Sequence, residues 1–286
     1  MKLAYRNERN ARALAALYGK PLDKPDWYSM QAATDDGAEI VIYDYIGWPY
    51  NDPVDLVRSL GELGPQAVTV RINSPGGDVF DGMAIFNALR GHKGRVTTRI
   101  EGVAASMASI IALAGKEVHA YANTFYMIHN PWACVAGDQD DLREVADVIE
   151  KMRNSMVDVY AQASGVGKKE LRDMMKAETW LTAKEAKEKG FVDTVLDGKG
   201  AKAAFDLSVF ANVPDGLGGQ REGRELTKRE IERALRDAGA SRSFAESVAA
   251  GRGGGGGPGG NQREAEGLQI GAIADQIRKN TSIWRT

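Results

Sequence analysis

From Ala38 to about Asp197 the chain alternates short β-branched or aromatic runs with stretches of helical spacing. That alternation constrains the fold more than any other feature, because strand-then-helix repeated many times is the pattern of an α/β domain. EIVIYDYIG (39–47) reads as a strand, AVTVRIN (67–73) as a second and RVTTRIEG (95–102) as a third. Between them, residues 51–63 carry Val54, Val57, Leu60 and Leu63 at helical spacing until Gly64-Pro65 stops the run. VFDGMAIFNALRGH (79–92) does the same with Phe80, Met83, Ile85, Phe86 and Leu89. An apolar helix is expected after Ser106, ending at Gly115, and EVHAY and NTFYMIHN read as two short strands. A long helix is predicted over about 140–164, on the stripe Leu142, Val145, Val148, Ile149, Met152, Met156 and Val159. LTAKEAKEKG (181–190) opens with a capping box at Thr182 and Glu185 and ends on Gly190, and FVDTVL (191–196) closes the domain as a strand. The α/β domain is therefore placed at 38–197.

The flanks read differently. Residues 1–37 mix charge, Pro and Gly and suggest an arm or a short helix ahead of the core. LTKREIERALRDAG (226–239) and SFAESVAAG (243–251) each carry a capping box, so 221–251 reads as a small helical hairpin. Residues 252–260 are a flexible linker by their glycine content. The tail, 261–286, has Leu268, Ile270, Ile273, Ile277 and Trp284, too few apolar positions to bury a face of its own.

Composition narrows the function. A net charge of −2 gives no electrostatic reason to expect nucleic acid or an anionic membrane surface as partner. A single cysteine, Cys134, rules out an internal disulfide and suits a reducing compartment. The first twenty residues interrupt their apolar positions with charges, unlike a signal peptide. No apolar run approaches the roughly 18 residues of a membrane span. The expected location is the cytoplasm. Metal-ligand spacing, a phosphate loop and a dinucleotide fingerprint are all missing from the sequence, so no metal and no cofactor are expected.

Three local features suggest chemistry. Ser106 lies in GVAASM at a strand-to-helix junction, where its hydroxyl would project beside the free N–H groups of a helix start. A small core serine would satisfy the same run. Of the three histidines, His92 sits in the polar GHKGR loop and His119 alternates in a strand. His129 instead falls where the apolar strand of FYMIHNPW gives way to a loop, and α/β sheets place chemistry at such strand ends. INSPGGD (72–78) is either a tight turn or a loop whose Gly76 and Gly77 N–H groups are bared for a carbonyl oxygen or a peptide backbone.

INSPGG, then GVAASMAS, MIHNP and ETWLTAKEAKEKGFVD, in that order over 39–197, resemble the ClpP family of serine peptidases. The resemblance implies a crotonase-like stack of ββα units with the 140–164 helix as an oligomer-forming handle, to which the hairpin at 221–251 would add a small C-terminal helical appendage. It also implies Ser106 as nucleophile, His129 as general base, and the N–H groups of Gly77 and Met107 as oxyanion hole. Gly76 would belong to the loop that holds substrate backbone. Where the family usually places its aspartate, this chain has Glu178, with Asp173 and Asp193 as possible substitutes. The blocks look closer still to the ClpP-like head maturation (prohead) proteases of tailed phages. That resemblance implies scaffold and capsid proteins as substrates and a homo-oligomer, possibly a ring, with neither nucleic acid nor membrane as partner. Two other readings use the same fold: a catalytically dead scaffold or assembly factor, and a crotonase-like acyl-CoA enzyme. The Ser–Lys chemistry of peptidases related to signal-peptide peptidase A would want a lysine before the serine, yet none occurs between Lys24 and Lys93.

Overall fold

In the computed structural model eight strands form one sheet, in the order β1-β2-β3-β4-β5-β8, with β6 joined to β4 and β7 to β6. Residues 28–34, 37–47, 52–133 and 138–198 are described, together with 207, 210–214, 217, 242, 243 and 246. By contacts the chain forms two units, Pro21–Arg221 and a second made of Met1–Lys20 with Glu222–Thr286. Of the second unit only Arg242, Ser243 and Glu246 are described. All three are helical, and Arg242 Nε donates to Glu246 at 3.0 Å. The rest of the expected hairpin, the glycine linker and the tail lie outside the described residues.

The strands of the first unit are β1 (Tyr28–Thr34), β2 (Gly37–Ile42), β3 (Val68–Ser74) and β4 (Val96–Ala105). After them come β5 (Glu117–Tyr121), β6 (Phe125–Ile128), β7 (Thr179–Thr182) and β8 (Thr194–Leu196). The helices are α1 (Pro53–Glu62), α2 (Val79–Gly91), α3 (Met107–Ala112), α4 (Gln139–Ser164), α5 (Lys168–Lys176) and α6 (Ala183–Glu188). All pairings are parallel except β1 with β2 and β6 with β7. Among the described residues no helix is long and apolar enough to cross a membrane.

Several expectations change. The arm before residue 38 includes strand β1, which pairs with β2 from Tyr28↔Ile42 to Thr34↔Gly37. Strand β4 runs three residues past the predicted end, to Ala105, because Val103–Ala105 find a ladder partner in Phe125–Met127 of β6. Its two halves serve different partners, Thr97–Ile100 pairing with β5 and Val103–Ala105 with β6. Helix α3 stops at Ala112 rather than Gly115, since Leu113 and Ala114 close the last turn with bonds to Ile110 and Ile111. In α1 the buried side chains are Pro53, Leu56 and Leu60, while Val54 is exposed: Leu56 and Leu60 enter the core, and Val54 is turned off it. Phe80 is likewise exposed at the start of α2. Helix α4 buries Val145 and Met156, Val157 and Tyr160, leaving Leu142 exposed, so its C-terminal half does most of the docking. The capping box at Thr182 and Glu185 is present as predicted.

One face of β2, β3 and β4 buries Ile40, Ile42, Val68, Val70, Ile72, Val96 and Ile100 beneath α1, α2 and α3. The other carries Glu39, Arg71, Arg99 and Glu101. Glu101 accepts from Arg71 Nε and Nη2, both at 2.9 Å, from Arg99 Nε at 2.7 Å, and from the Tyr43 hydroxyl. Burial pushes the Glu101 carboxyl up, but these donors reverse it and hold it below the usual carboxylate value. Glu101→Gln should therefore destabilise the protein by about 1–3 kcal/mol, measured by urea unfolding at neutral pH. A carboxyl depressed in the folded state adds stability above its unfolded pKa. That contribution disappears as pH falls through the depressed folded value, so the variant's deficit should shrink in acid.

Candidate active site

The sheet brings the sequence-selected residues to one edge. Parallel pairing of β4 with β6 sets Ala105 opposite Met127, so the chain leaves β4 at Ser106 just where it leaves β6 at His129. Ser106 N donates to Met127 O at 3.0 Å and fixes that step. Antiparallel pairing of β6 with β7 sets Ile128 opposite Thr179, and one residue further along the same register stand His129 and Glu178. Ser74 pairs with Ala104, which carries the loop of Gly76 and Gly77 to the same end. Carboxyl ends of parallel strands are where open α/β sheets hold their ligands.

His129 Nε2 lies 2.8 Å from Ser106 Oγ, and both residues are 8% exposed. Burial pushes the His129 imidazole down to about 4, and the Glu178 carboxylate pulls it part of the way back. At neutral pH the ring is uncharged, so with its proton on Nδ1 it accepts the serine hydroxyl at Nε2. Among the described residues, Ser106 (φ 54°) and Glu178 (φ 50°) are the non-glycine positions with positive φ. Such backbone costs about 1–3 kcal/mol per residue and persists where the surroundings enforce it. At Ser106, with ψ −124°, it forms a sharp strand-to-helix turn that presents the hydroxyl.

Gly76 and Gly77 have φ of 93° and 155°. A Cβ on Gly76 would come within 2.6 Å of both Ala105 O and Ser106 Cβ, so only glycine lets this loop lie against the serine turn. The loop is held by Ile46, whose N–H donates to Gly76 O at 2.8 Å and whose carbonyl accepts from Asp78 N at 2.8 Å. This parallel bridge uses the groups on either side of Gly77 and turns the Gly77 N–H away from Ile46. Ser74 Oγ steadies the turn by accepting from Gly76 N at 3.1 Å, so the Gly76 N–H is not bared as the sequence reading expects, while Asn73 Oδ1 accepts from Val103 N at 3.1 Å. Met107 is the first residue of α3, where backbone N–H groups have no partner within the helix.

Glu178 makes no hydrogen bond to His129 among the described residues. Its Oε1 accepts from Asn212 N at 2.6 Å and from Trp180 Nε1 at 3.4 Å. The alternative acids are engaged elsewhere: Asp193 Oδ2 accepts from Val118 N at 2.7 Å, and exposed Asp173 pairs with Lys169 at 3.6 Å. His92 meets Gln66 O at 2.8 Å and His119 lies 3.3 Å from Glu117, so neither joins the serine.

A cavity of about 280 Å³ adjoins the site at Asn130 and Pro131, walled otherwise by Ala146, Ile149, Glu150 and Arg153 of α4. Two of these residues carry buried polar atoms without a partner, Asn130 Oδ1 and Arg153 Nε. Sequence reasoning also misses Phe210 and Asn212, which contact His129 and Glu178. The spacing of Leu207, Phe210, Val213 and Leu217 is the available signal, but it lies past the last predicted strand.

Residues 38–199 match the family model described as Clp protease, which is more than half of the chain. The chain belongs to the Clp protease family. It is 36% identical over 130 residues to ATP-dependent Clp protease proteolytic subunit 1 of Protochlamydia amoebophila, covering 44% of this chain and 63% of that one. To the corresponding subunit 1 of Chlamydia abortus it is 35% identical over 135 residues, covering 46% and 70%. The chain thus spans a little under two thirds of the first of these relatives. Among solved structures, a ClpP1 mutant from Listeria monocytogenes superposes with a TM-score of 0.50 at 28% identity, covering 56% of this chain and 91% of that one. The ClpP-like α/β architecture expected from the sequence is the observed one.

Proposed function

We propose that the protein is a serine endopeptidase in which Ser106 attacks the scissile carbonyl carbon and His129 takes the serine proton. The observation that carries this reading is the 2.8 Å contact between His129 Nε2 and Ser106 Oγ at a buried, neutral imidazole. As the C–O bond forms, the carbonyl oxygen gains charge and is met by the N–H groups of Gly77 and Met107. The imidazolium then gives its proton to the departing amine, leaving an acyl ester on Ser106. Water, deprotonated by the same ring, hydrolyses that ester and returns the enzyme. Glu178 stabilises the imidazolium, and the cavity at Asn130 and Arg153 receives a substrate side chain.

The acyl-CoA reading makes no use of the serine–histidine contact, and a dead scaffold has no need to keep its serine in costly backbone. Protein substrates, and a homo-oligomer built on α4, follow from the family. For the natural substrate we adopt the scaffold or capsid proteins of a tailed phage head, supported by the block resemblance and by the C-terminal extension. A fluorophosphonate probe should label the wild-type chain at Ser106, located by peptide mass spectrometry, and should leave Ser106→Ala unlabelled. Labelling elsewhere, or none, would sink the peptidase reading. Co-expression with such head proteins should yield discrete cleavage products only when Ser106 is intact.

A further inference from the structure

The family-matched stretch ends at residue 199, yet the site does not. Leu207 and Phe210, with Val213 and Leu217, close an apolar cluster on Val103, Ala105 and Met127. Those last three belong to β4 and β6, the strands that deliver Ser106 and His129. Phe210 meets the His129 ring edge-on, with centroids 5.4 Å apart at 83°, and meets Trp180 the same way at 5.7 Å and 79°. Two residues on, the Asn212 N–H donates to Glu178 Oε1 at 2.6 Å while Asn212 Nδ2 donates to Ala177 O at 2.9 Å.

We propose that the segment bearing Leu207, Phe210 and Asn212 is a positioning strap for the acid–base pair: the Asn212 N–H fixes the Glu178 carboxylate, and Phe210 shields and orients the His129 ring. The inference rests on the peptidase reading of Ser106 and His129. Its physical basis is the glutamate. Relative to aspartate, Glu178 has one more rotatable bond, and an unanchored carboxylate would sample orientations away from the imidazole. A short N–H···O⁻ bond is charge-assisted and strong enough to select one of them. Both donors, Asn212 N and Trp180 Nε1, take Oε1, so the carboxylate is held by one oxygen and Oε2 is left unengaged by either of them. Phe210 supplies part of the apolar wall that keeps His129 at 8% exposure. Glu178 is the charged group whose field reaches that ring. A mere packing cap would need the apolar side chains but not the hydrogen bond to a carboxylate.

The test uses the full chain with a short peptide substrate. Asn212→Pro deletes the N–H and should lower kcat about 10²-fold, with KM within about twofold. Asn212→Ala, which restores the N–H, should recover at least a tenth of the wild-type kcat. Phe210→Ala should hydrate the ring and move the acid limb of kcat/KM upward, from near 4 toward 6.5. Phe210→Leu should bring the limb back down. An unchanged kcat in Asn212→Pro, equal loss in the Pro and Ala variants, or an unmoved limb in Phe210→Ala would overturn the strap, and so would any rise in kcat. Should the wild type prove inactive, the peptidase reading fails by itself. NMR titration of His129 in wild type and Phe210→Ala still tests the shielding, and equal midpoints would refute it.

Discussion

Ser106→Ala is expected to lower kcat for peptide hydrolysis by about 10⁵- to 10⁶-fold, the scale of losing a triad serine. KM should change little, because the proposed role of the hydroxyl is to form the acyl bond and not to hold substrate. The more telling half of the prediction concerns stability. Ser106 is buried and strained, with φ 54° and ψ −124°, and its side chain makes no cap bond to α3. Alanine keeps the Cβ and so keeps the strain, while the one interaction lost is the bond to His129. The melting temperature should stay within a few degrees of wild type, roughly the shift that 1 kcal/mol produces in a domain of this size. Ser106→Gly, equally inactive, adopts the same φ without penalty and should be no less stable than the alanine variant. Stopped assays on purified protein beside thermal melts check both halves. Retention of more than a tenth of the activity by Ser106→Ala would remove the serine from the mechanism. A collapse in melting temperature would mean that Ser106 is a packing residue.

The two halves of that expectation differ in how far the amino-acid sequence alone reveals them. The identity of the serine is legible, because GVAASM follows a strand-like run and precedes an apolar one. Its backbone is not, since a left-handed φ at a non-glycine residue leaves no mark in composition or spacing. The same holds across the site. His129 can be placed at a strand end, but its meeting with Ser106 depends on β4 pairing with β6 in parallel, an arrangement that passes through β5 and a turn. Strand β4 is what hides it, for it switches partner half-way along and local periodicity cannot encode a change of neighbour. Helix α5 escapes a periodicity reading because KKELRDMMK buries just Leu171 and Met175, too few apolar positions to form a stripe. Strand β7 escapes it because its four residues merge into the capping sequence of α6. Val54 and Phe80 have the spacing of buried positions and yet are exposed, because periodicity gives the interval of a stripe, not which way it is turned. Arg71, Arg99 and Glu101 fall within the runs read simply as strands, and spacing gives no sign that they are joined around one buried carboxylate. Alternation exposes the fold, while long-range pairing decides the site.

Glu178→Gln should lower kcat by about 10³- to 10⁴-fold, a loss too large for a carboxylate that merely caps a turn. The size follows from the donors around it. Asn212 N and Trp180 Nε1 both present hydrogens to one side-chain oxygen, so a glutamine amide must turn its oxygen toward them. Its NH₂ group then takes the place of Oε2, and without the carboxylate's field the ring no longer favours the tautomer with its proton on Nδ1 over the one with a bare Nδ1 and a proton on Nε2. That tautomer cannot accept the Ser106 proton. The charge that steadies the imidazolium is lost as well. Because the carboxylate raises the His129 pKa against the depressing effect of burial, its removal should move the acid limb of the rate profile lower. Phe210→Ala should move the same limb in the opposite direction, so the two variants separate field from shielding. Asp193→Asn serves as the control acid. Its carboxylate accepts from Val118 N, and its backbone N–H donates to Val118 O, where β5 runs beside β8. An amide there should cost stability, seen as a lower urea midpoint, and leave kcat within a few-fold of wild type. The deciding comparison is kcat and unfolding midpoint measured on both variants. If Asp193→Asn lost the activity and Glu178→Gln kept it, the left-handed turn at residue 178 would be a structural feature and the orienting acid would lie elsewhere.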